Sequence, residues 1–285
     1  MTEGRAPVVA FSGACDCHMH VYDSRYPVVP EARLRPADAS IEDYRRIQRM
    51  LGTERAVIVT PSTYGTDNAS TIDAIAQLGD CARGVAVVAG SVTDAELDRL
   101  HRSGIRGIRL NLTQPTPVTL DDLPLLAARI AAFGWHIQFN LPPAWLPEVA
   151  GLLGSLPVPM VFDHYGHLPL GTPQAEPAFR VIADLVSAGK AWVKLSGPYI
   201  ESREGPPHYG DIGTLAARYL ALAPERMLWG SDWPHPSLQA RGGEPVDDAA
   251  MLQTFLRWCD SPDLAQRVLV SNPQALYGFG NARSS

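Results

Sequence analysis

The stretch GACDCHMHVYD, residues 13–23, is an apolar segment whose histidines and last aspartate collect towards its C-terminal end. Because side chains alternate along a strand, His18 and His20 are predicted to share one face with Asp16. The two cysteines are then predicted to lie on the opposite face, packed under helices. A buried strand that ends in polar residues is the unit from which the fold can be predicted.

The same unit recurs along the whole chain. Short apolar segments are predicted to be strands at residues 15–20, 56–60, 84–89, 108–112, 137–141, 160–163, 192–196 and 227–231. Apolar residues at helical spacing follow these strands, as in Leu123, Leu126, Ile130 and Phe133. Strands this apolar are typical of a parallel sheet covered by helices on both faces. Eight such units in 285 residues predict a (β/α)8 TIM barrel.

Helix starts and loops agree with this scheme. Three pairs have the spacing or composition of helix N-termini, namely Ser40 with Asp43, Thr93 with Glu96, and Asp67 with Asn68. Proline-rich segments at 198–207 and 234–245 are predicted to be long loops after the last two strands. No shift in composition divides the chain, so residues 1–285 are predicted to form a single domain, with 262–278 as a closing helix.

The composition favours a small-molecule enzyme over other classes. The net charge is −6 and the basic residues are scattered, which argues against a nucleic-acid or anionic-membrane partner. The apolar segment 82–89 is far shorter than the roughly 20 residues needed to cross a bilayer. The first residues do not resemble a signal peptide, and four cysteines do not make a disulfide framework. We therefore expect a cytoplasmic protein, with a homo-oligomer as an open alternative.

Polar residues collect where a barrel enzyme would need them. In a TIM barrel the chemistry lies at the C-terminal ends of the strands. The residues predicted to lie there are His18, His20, Thr60, Ser62, Arg109, Asn111, Gln138, Asn140, His164, Lys194, Ser196 and Asp232. His167 and His235 follow slightly further along two of the loops. Three other histidines, His101, His136 and His208, have no clustered partners and are predicted to be structural or surface residues.

Three histidines and one aspartate are the candidate chemical centre. His18 and His20, two residues apart, can chelate one divalent ion or donate hydrogen bonds to one substrate oxygen. Together with His164 in VFDHYGH (161–167) and Asp232 in WGSDWPHP (229–236), they predict either a metal site or an acid/base cluster. Asp232 suits a metal ligand or a general base. A cysteine zinc knuckle is disfavoured, because C-x-C spacing on the opposite face does not converge on the histidines.

The remaining candidates are predicted to bind substrate. Arg109 and Asn111 share a face, and the arginine suits a substrate carboxylate or lactone oxygen, with an internal ion pair as the alternative. Gln138 and Asn140 share another face and suit hydroxyl or carbonyl groups. Lys194 suits a substrate contact or a salt bridge inside the barrel. The other predicted substrate contacts are Ser196, His167 and His235.

The motifs resemble the amidohydrolase superfamily. The resemblance rests on D-x-H-x-H at 16–20, FDHYGH at 162–167 and WGSDWPHP at 229–236, and it extends through RGIRLN at 106–111 and SNPQALYGF at 271–279. The chain is most similar to the branch that contains pyrone-dicarboxylate hydrolases, sugar and muconolactone lactonases and a lactone isomerase. The resemblance therefore implies a catabolic hydrolase whose substrate is a small lactone.

The same resemblance implies a mechanism. Asp232 would activate water, and His18, His20 and His164 would polarise the lactone carbonyl, either directly in a metal-free site or through one divalent ion. These four residues would be the metal ligands, with Zn²⁺ the favoured ion. Lactone isomerisation and metal-dependent decarboxylation are the alternatives that use the same set of residues.

Departures from the family pattern bear on the substrate. Arg109 matches a carboxylate-binding arginine of the pyrone-dicarboxylate hydrolases. Pro115 and the loop 197–201 lack the further arginines that the pattern would supply, and Asn140 replaces an expected tyrosine. A pocket with fewer cations and more amides is predicted to prefer a less anionic and more hydroxylated lactone.

Overall fold

Eight parallel strands form a barrel in the computed structural model, which describes residues 7–114 and 116–280; Pro115 lies outside the described residues. The strands follow one another around the barrel in chain order, and each consecutive pair is parallel. Their bounds are β1 Cys15–Met19, β2 Arg55–Val59, β3 Ala82–Ala86, β4 Ile105–Asn111, β5 His136–Asn140, β6 Met160–Phe162, β7 Ala191–Ser196 and β8 Met227–Gly230. The predicted TIM barrel is confirmed.

Helices cover the outer surface of the barrel. Their bounds are α1 Ile41–Leu51, α2 Ala69–Leu78, α3 Asp94–Arg102, α4 Leu123–Ala131, α5 Leu146–Ser155, α6 Ala175–Ser187, α7 Gly210–Leu222, α8 Pro236–Ala240, α9 Asp248–Trp258, α10 Pro262–Gln266 and α11 Asn272–Tyr277. The segment predicted as a loop after β8 therefore contains the short helix α8. In the part of the chain that the structure describes, no helix is both long and apolar enough to span a bilayer.

Two of the predicted helix starts are confirmed in detail, and the third differs. Ser40 and Asp43 form a reciprocal capping box at α1, and the Thr93 side chain accepts a hydrogen bond from Glu96 N at α3. At α2 the side chain of Asn68 does not cap the helix. It instead accepts a hydrogen bond from Val87 N at 2.9 Å and so ties the loop after β2 to the loop after β3.

Five of the eight strands, β2, β3, β4, β5 and β7, begin one to three residues before their predicted starts, because mostly polar or small residues extend them at their N-terminal ends. Arg55 in β2 and Arg83 in β3 lie at the N-terminal end of the barrel. They donate hydrogen bonds to Gly280 O at 2.7 Å and to Gly278 O at 3.2 Å, and both guanidinium groups lie over the Phe279 ring. The C-terminal segment therefore covers the end of the barrel opposite to the candidate site.

The barrel closes where β1 meets the residues that follow β8. Asp232 N donates to His18 O at 2.8 Å, and His20 N donates to Trp233 O at 2.8 Å. Beside this seam the Asp16 carboxylate accepts hydrogen bonds from Ser231 N at 2.9 Å and from Ser231 Oγ at 2.5 Å. Closure thus fixes the backbone of His18 directly against that of Asp232.

A bulge in β1 overturns the predicted division of its side chains. Asp16 pairs with Ala56 but Met19 pairs with Ile58, so β1 has one residue more than β2 between these positions. The alternation therefore breaks before His18. Cys15 and Cys17 pack in the interior cluster whose other buried members are Val57, Val59, Val85, Val161, Trp192, Leu228, Tyr277 and Phe279. The prediction that the cysteines pack under the helices is wrong, and it is Asp16 that points outwards, to Tyr44 on α1 at 3.0 Å.

Candidate active site

Three imidazoles and one carboxylate meet at the C-terminal end of the barrel. The Nε2 atoms of His18 and His20 lie 3.3 Å apart, and they are 3.6 Å and 3.5 Å from Asp232 Oδ1. His164 Nε2 lies 3.9 Å from the same oxygen. All four side chains are at least nine-tenths buried. Residues from β1, β6 and β8, separated by more than 200 positions in the sequence, therefore form one compact centre.

Hydrogen bonds from the outer ring nitrogens set the orientation of two histidines. His20 Nδ1 lies 2.7 Å from Val59 O, and His164 Nδ1 lies 3.3 Å from Ser196 O. A carbonyl oxygen only accepts, so His20 Nδ1 donates to Val59 O and its other nitrogen, Nε2, faces the centre. His164 Nδ1 also lies 3.0 Å from Ser196 Oγ, a hydroxyl that can donate or accept, and its Nε2 likewise faces the centre. His18 Nδ1 lies between Asp163 Oδ1 at 3.3 Å and Lys194 Nζ at 3.4 Å.

Burial controls the protonation states at the centre. It lowers the pKa of His18 well below its ordinary value and the pKa of His164 to about 4. For Asp232 burial acts in the opposite direction, but the neighbouring His164, His20 and His18 outweigh it and hold the pKa of the carboxyl well below its usual range. Neutral imidazoles around an ionised carboxylate are suited to holding a cation or to accepting a proton.

Asp232 has an unusual backbone conformation, and its side chain is held by a hydrogen bond. Its φ of 59° lies in the left-handed region, which aspartate tolerates better than most residues. Tyr199, in the loop after β7, donates a hydrogen bond from its hydroxyl to Asp232 Oδ2 at 2.6 Å. Burial raises the pKa of Tyr199 well above its ordinary value, so the hydroxyl keeps its hydrogen. The second carboxylate oxygen, Oδ1, is the one that faces the histidines.

A network of buried charges lies directly beneath the centre. Asp163 Oδ2 accepts hydrogen bonds from Arg109 Nε at 2.9 Å and from Gln138 Nε2 at 3.2 Å. Lys194 Nζ donates to Gln138 Oε1 at 2.7 Å and lies 4.0 Å from Asp163 Oδ1. Burial lowers the pKa of Lys194 to about 8. With Asp232, the two cations and two carboxylates balance one another.

A small cavity of about 140 Å³ opens above the four groups. Its lining includes His20, His164 and Asp232, together with Tyr22, Leu34, Pro61, Ser62, Arg109, Asn111, Thr113, Gln114, Asn140, His167, Ile200, Pro236 and Ser237. Most of the polar members are uncharged amides or hydroxyls. The volume and the lining suit a small, oxygen-rich molecule.

The structure separates the predicted substrate contacts into two groups. Four of them line the cavity, namely Arg109, Asn111, Asn140 and His167. The other four are absent from the lining formed by the described residues, namely Gln138, Lys194, Ser196 and His235. They are buried behind it and contact protein groups, so the structure does not bring them to the substrate space. Arg109 lines the cavity and forms the internal ion pair with Asp163 that was its alternative role, and its contact with a substrate stays a prediction.

Sequence reasoning missed three acidic or phenolic residues of this region. Asp163 directly precedes His164 and alternates with the inward Val161, so strand periodicity could have identified it. Tyr199 lies in an irregular loop, and Asp248, 3.1 Å from His235 Nε2, is the first residue of α9. No local signal marks either of these two. Of the remaining histidines, His136 is buried inside the barrel and His208 is exposed.

Comparisons with known proteins agree with this geometry. A protein-family model described as amidohydrolase matches residues 15–279. A 2-pyrone-4,6-dicarboxylate hydrolase from Comamonas testosteroni is 34% identical over 280 residues, which cover 93% of this chain and 90% of that protein. A D-galactarolactone isomerase from Agrobacterium fabrum is 31% identical over 285 residues, with 99% and 97% covered.

The fold comparison leads to the same group. A crystal structure from Agrobacterium tumefaciens, solved without ligand, superposes with a TM-score of 0.87 at 31% identity. The superposition covers 96% of this chain and 99% of that chain. The two chains are therefore similar in sequence and in fold over nearly their whole length.

Proposed function

Because this chain belongs to the amidohydrolase family, we propose that it is a hydrolase that opens the ring ester of a small, hydroxylated lactone. The observation that carries the proposal is the convergence of Asp232 Oδ1 with three imidazole Nε2 atoms, at distances of 3.5 to 3.9 Å. Asp232, His20 and His164 line the cavity, where one carbonyl group can approach them, and His18 lies buried behind them. The isomerase relative is named for a lactone, and the hydrolase relative is named for a pyrone, which is an unsaturated cyclic ester.

Asp232 is the general base of the proposed reaction. It takes a proton from a water molecule as that water attacks the ring carbonyl carbon. The bond between this carbon and the ring oxygen then breaks, and the proton on Asp232 passes to the departing oxygen. The product is a hydroxy acid, with one carboxylate oxygen derived from water. The ionised state of Asp232 supports this role, since only a carboxylate can accept the proton.

Three of the four groups, His18, His20 and Asp232, also fit one divalent metal ion, whereas His164 is not part of this close set. Ligand atoms bound at about 2.0–2.1 Å to a tetrahedral Zn²⁺ lie roughly 3.3–3.5 Å apart, close to the 3.3 to 3.6 Å that separate His18, His20 and Asp232. Nδ1 atoms that face carbonyl oxygens are the usual outer support of metal-bound histidines. When bound, such an ion would act as a Lewis acid on the lactone carbonyl. The residues themselves would hold the carbonyl over the centre and exclude bulk water.

The cavity lining supports a substrate with several hydroxyl groups and few charges. Arg109 is the one arginine or lysine among the described lining residues, and its charge is already shared with Asp163. The second basic group, His167, is 3.0 Å from Glu201. The amides of Asn111 and Asn140 can both donate to and accept from hydroxyls. A sugar-acid lactone with at most one carboxylate matches this lining better than a planar dicarboxylate.

Oxygen labelling tests the proposed reaction directly. Purified protein would be incubated with a panel of aldonic, aldaric and unsaturated lactones in H₂¹⁸O, and the products analysed by mass spectrometry. Hydrolysis places one ¹⁸O in the product carboxylate, because that oxygen comes from water. Spontaneous opening is subtracted with Asp232→Asn, for which we expect a loss of about 10²–10⁴-fold in turnover. A panel without catalysed opening, or an unchanged Asp232→Asn rate, would refute the proposal.

Metal content is measured on the same samples. We expect about one Zn²⁺ or similar ion per chain, lost in dialysis against a chelator together with activity. Full activity in a chelator-treated, metal-free sample would show instead that the imidazoles act on the carbonyl directly. His18→Asn and the surface variant His208→Asn form a matched pair, since only the first removes a candidate ligand.

Lactone isomerisation is the second candidate function. It is favoured by the isomerase relative, which aligns over 99% of this chain. In this reaction a substrate hydroxyl replaces water as the attacking group, and Asp232 takes its proton in the same way. The labelling experiment separates the two, because isomerisation incorporates no solvent oxygen.

A further inference from the structure

A chain of buried and partly buried side chains runs from Asp232 away from the cavity and takes no direct part in the proposed reaction. Tyr199 Oη lies 2.6 Å from Asp232 Oδ2 and 3.1 Å from His235 Nδ1. His235 Nε2 in turn lies 3.1 Å from Asp248 Oδ1. His235 and Asp248 are 7% and 5% exposed, so bulk water does not compete strongly for these contacts.

The direction of the hydrogen bonds follows from the number of hydrogens. Tyr199 has one hydroxyl hydrogen, and the ionised Asp232 can only accept it. The Tyr199 oxygen is therefore left as the acceptor for His235, whose Nδ1 must carry a hydrogen. The contacts of Tyr199 and His235 are thus aligned, each group donating towards Asp232.

Three elements that are distant in sequence supply these residues. Tyr199 lies in the loop after β7, His235 in the loop after β8, and Asp248 begins α9. The N-terminus of α9 favours a negative charge at Asp248, and the Asp248 carboxylate is in close contact with the edge of the His235 ring. His235 has a φ of 66°, in the left-handed region, and its backbone N donates to Asp232 O at 2.7 Å. The loop that carries Asp232 therefore also carries part of its support.

Asp232 needs such support because its two oxygens face different surroundings. Oδ1 faces the histidines, whereas Oδ2 is the acceptor of Tyr199. Without a partner for Oδ2 the carboxylate can rotate, and a rotation moves Oδ1 away from the position where it takes the proton of the attacking water. Displacements of about 1 Å at a reacting group cost on the order of 10²-fold in rate.

We propose that Tyr199 is a positioning residue for the general base Asp232, and that His235 and Asp248 hold Tyr199 in place. The inference rests on the proposed function, because it assigns Asp232 the role of base. Neither Tyr199 nor His235 belongs to the described lining of the cavity. Their removal should therefore reduce kcat and leave KM nearly unchanged.

The central test is Tyr199→Phe, which removes only the hydroxyl. We expect kcat on the best lactone to fall about 10- to 100-fold, as is usual when an outer hydrogen-bond partner of an active-site ligand is lost. KM should stay within about threefold. Tyr209→Phe is the matched control, because Tyr209 lies in the same long loop and lines the same neighbouring cavity as Tyr199, whereas the hydrogen bond to Asp232 comes from Tyr199. A rise in KM with unchanged kcat, or equal effects of the two variants, would overturn the proposal.

Two further variants test the chain beyond Tyr199. His235→Asn keeps a donor near the Nδ1 position and should retain more activity than His235→Phe, which keeps a ring without a donor. Combined with Tyr199→Phe, His235→Phe should cause no further loss, because its effect passes through the missing hydroxyl. Independent losses that multiply would contradict a shared path. Circular dichroism identifies any variant that fails to fold. If one does, the two conservative variants, Tyr199→Phe and His235→Asn, provide the test.

A spectroscopic readout separates this inference from the proposed function. In ¹⁵N-histidine-labelled protein, the Nδ1–H signal of His235 is assigned by its absence in His235→Asn. We expect it to be protected from exchange and to shift in Tyr199→Phe but not in Tyr209→Phe. This result would support the contact even if no lactone in the panel were opened, in which case only the proposed function would fail. An Nδ1–H signal that exchanges rapidly with water and does not shift in Tyr199→Phe would refute the proposed contact between His235 and Tyr199.

Discussion

The buried charge network beneath the active site permits a quantitative prediction for Asp163→Asn. Asp163 is fully buried and lies 2.9 Å from Arg109 Nε and 4.0 Å from Lys194 Nζ. At an effective dielectric constant of about 20, unit charges at such distances attract by roughly 4–6 kcal/mol each. Burying the carboxylate offsets part of this, so removing one partner costs about 3–5 kcal/mol. We expect the free energy of unfolding to fall by that amount.

Urea unfolding followed by tryptophan fluorescence measures the effect, and thermal unfolding should show a decrease in Tm of about 10 °C. Asp98→Asn is the control, because its pair with Arg102 is exposed on α3, and it should cost no more than about 0.5 kcal/mol. Adding Lys194→Met to Asp163→Asn should restore part of the loss, since it removes the cation left unbalanced. A loss below about 1 kcal/mol for Asp163→Asn, or a double variant no more stable than Asp163→Asn itself, would refute the reasoning.

Three other predictions concern the barrel interior. Burial lowers the pKa of His136 to about 3, so between pH 7 and 5 the unfolded state binds more protons and the free energy of unfolding falls as the pH falls. In urea titrations at several pH values, His136→Leu should remove about 2 kcal/mol of this acid destabilisation. The same pH dependence of unfolding in wild type and variant would contradict this prediction. Asn140→Leu, at the cavity wall, should raise KM for a hydroxylated lactone by about tenfold or more without lowering Tm, because it leaves a substrate hydroxyl without a hydrogen-bond partner. An unchanged KM would exclude a contact between Asn140 and the substrate. Gly230→Ala would place a Cβ 2.6 Å from the Cβ of His18, so we expect the free energy of unfolding to fall by about 1–3 kcal/mol and activity to be lost. Wild-type stability and activity in this variant would show that β1 and β8 can separate freely.

Local sequence patterns were sufficient for the architecture and for the chemical centre. Apolar strands followed by helical periodicity predicted eight βα units, because burial of a strand and of one helix face depends on neighbouring residues alone. Polar residues at the strand ends predicted the site, because parallel strands bring their C-terminal ends to one side of a barrel. His18, His20, His164 and Asp232 were identifiable for this reason, although more than 200 positions separate the first and the last.

The tertiary structure decided which of the polar residues reach the cavity. Gln138, Lys194 and Ser196 lie on inward faces as predicted, but depth within the barrel places them behind the lining. That depth is set by the stagger between strands, which a single strand does not encode. Arg109 is paired in register with Gln138, but its longer side chain reaches the cavity, and Asn140, two residues beyond Gln138 on β5, also lines it.

The opening stretch of β1 illustrates the same limit. Strict alternation predicted that the cysteines face away from the histidines, yet a bulge places Cys17 and His18 both inside the barrel. A bulge depends on pairing with a neighbouring strand, so it is not encoded in the stretch itself. Tyr199 and Asp248 reach the site from a loop and a helix start, which only the folded chain brings together. The sequence by itself determined the barrel and its four central residues; long-range pairing and loop packing determined their orientation and support.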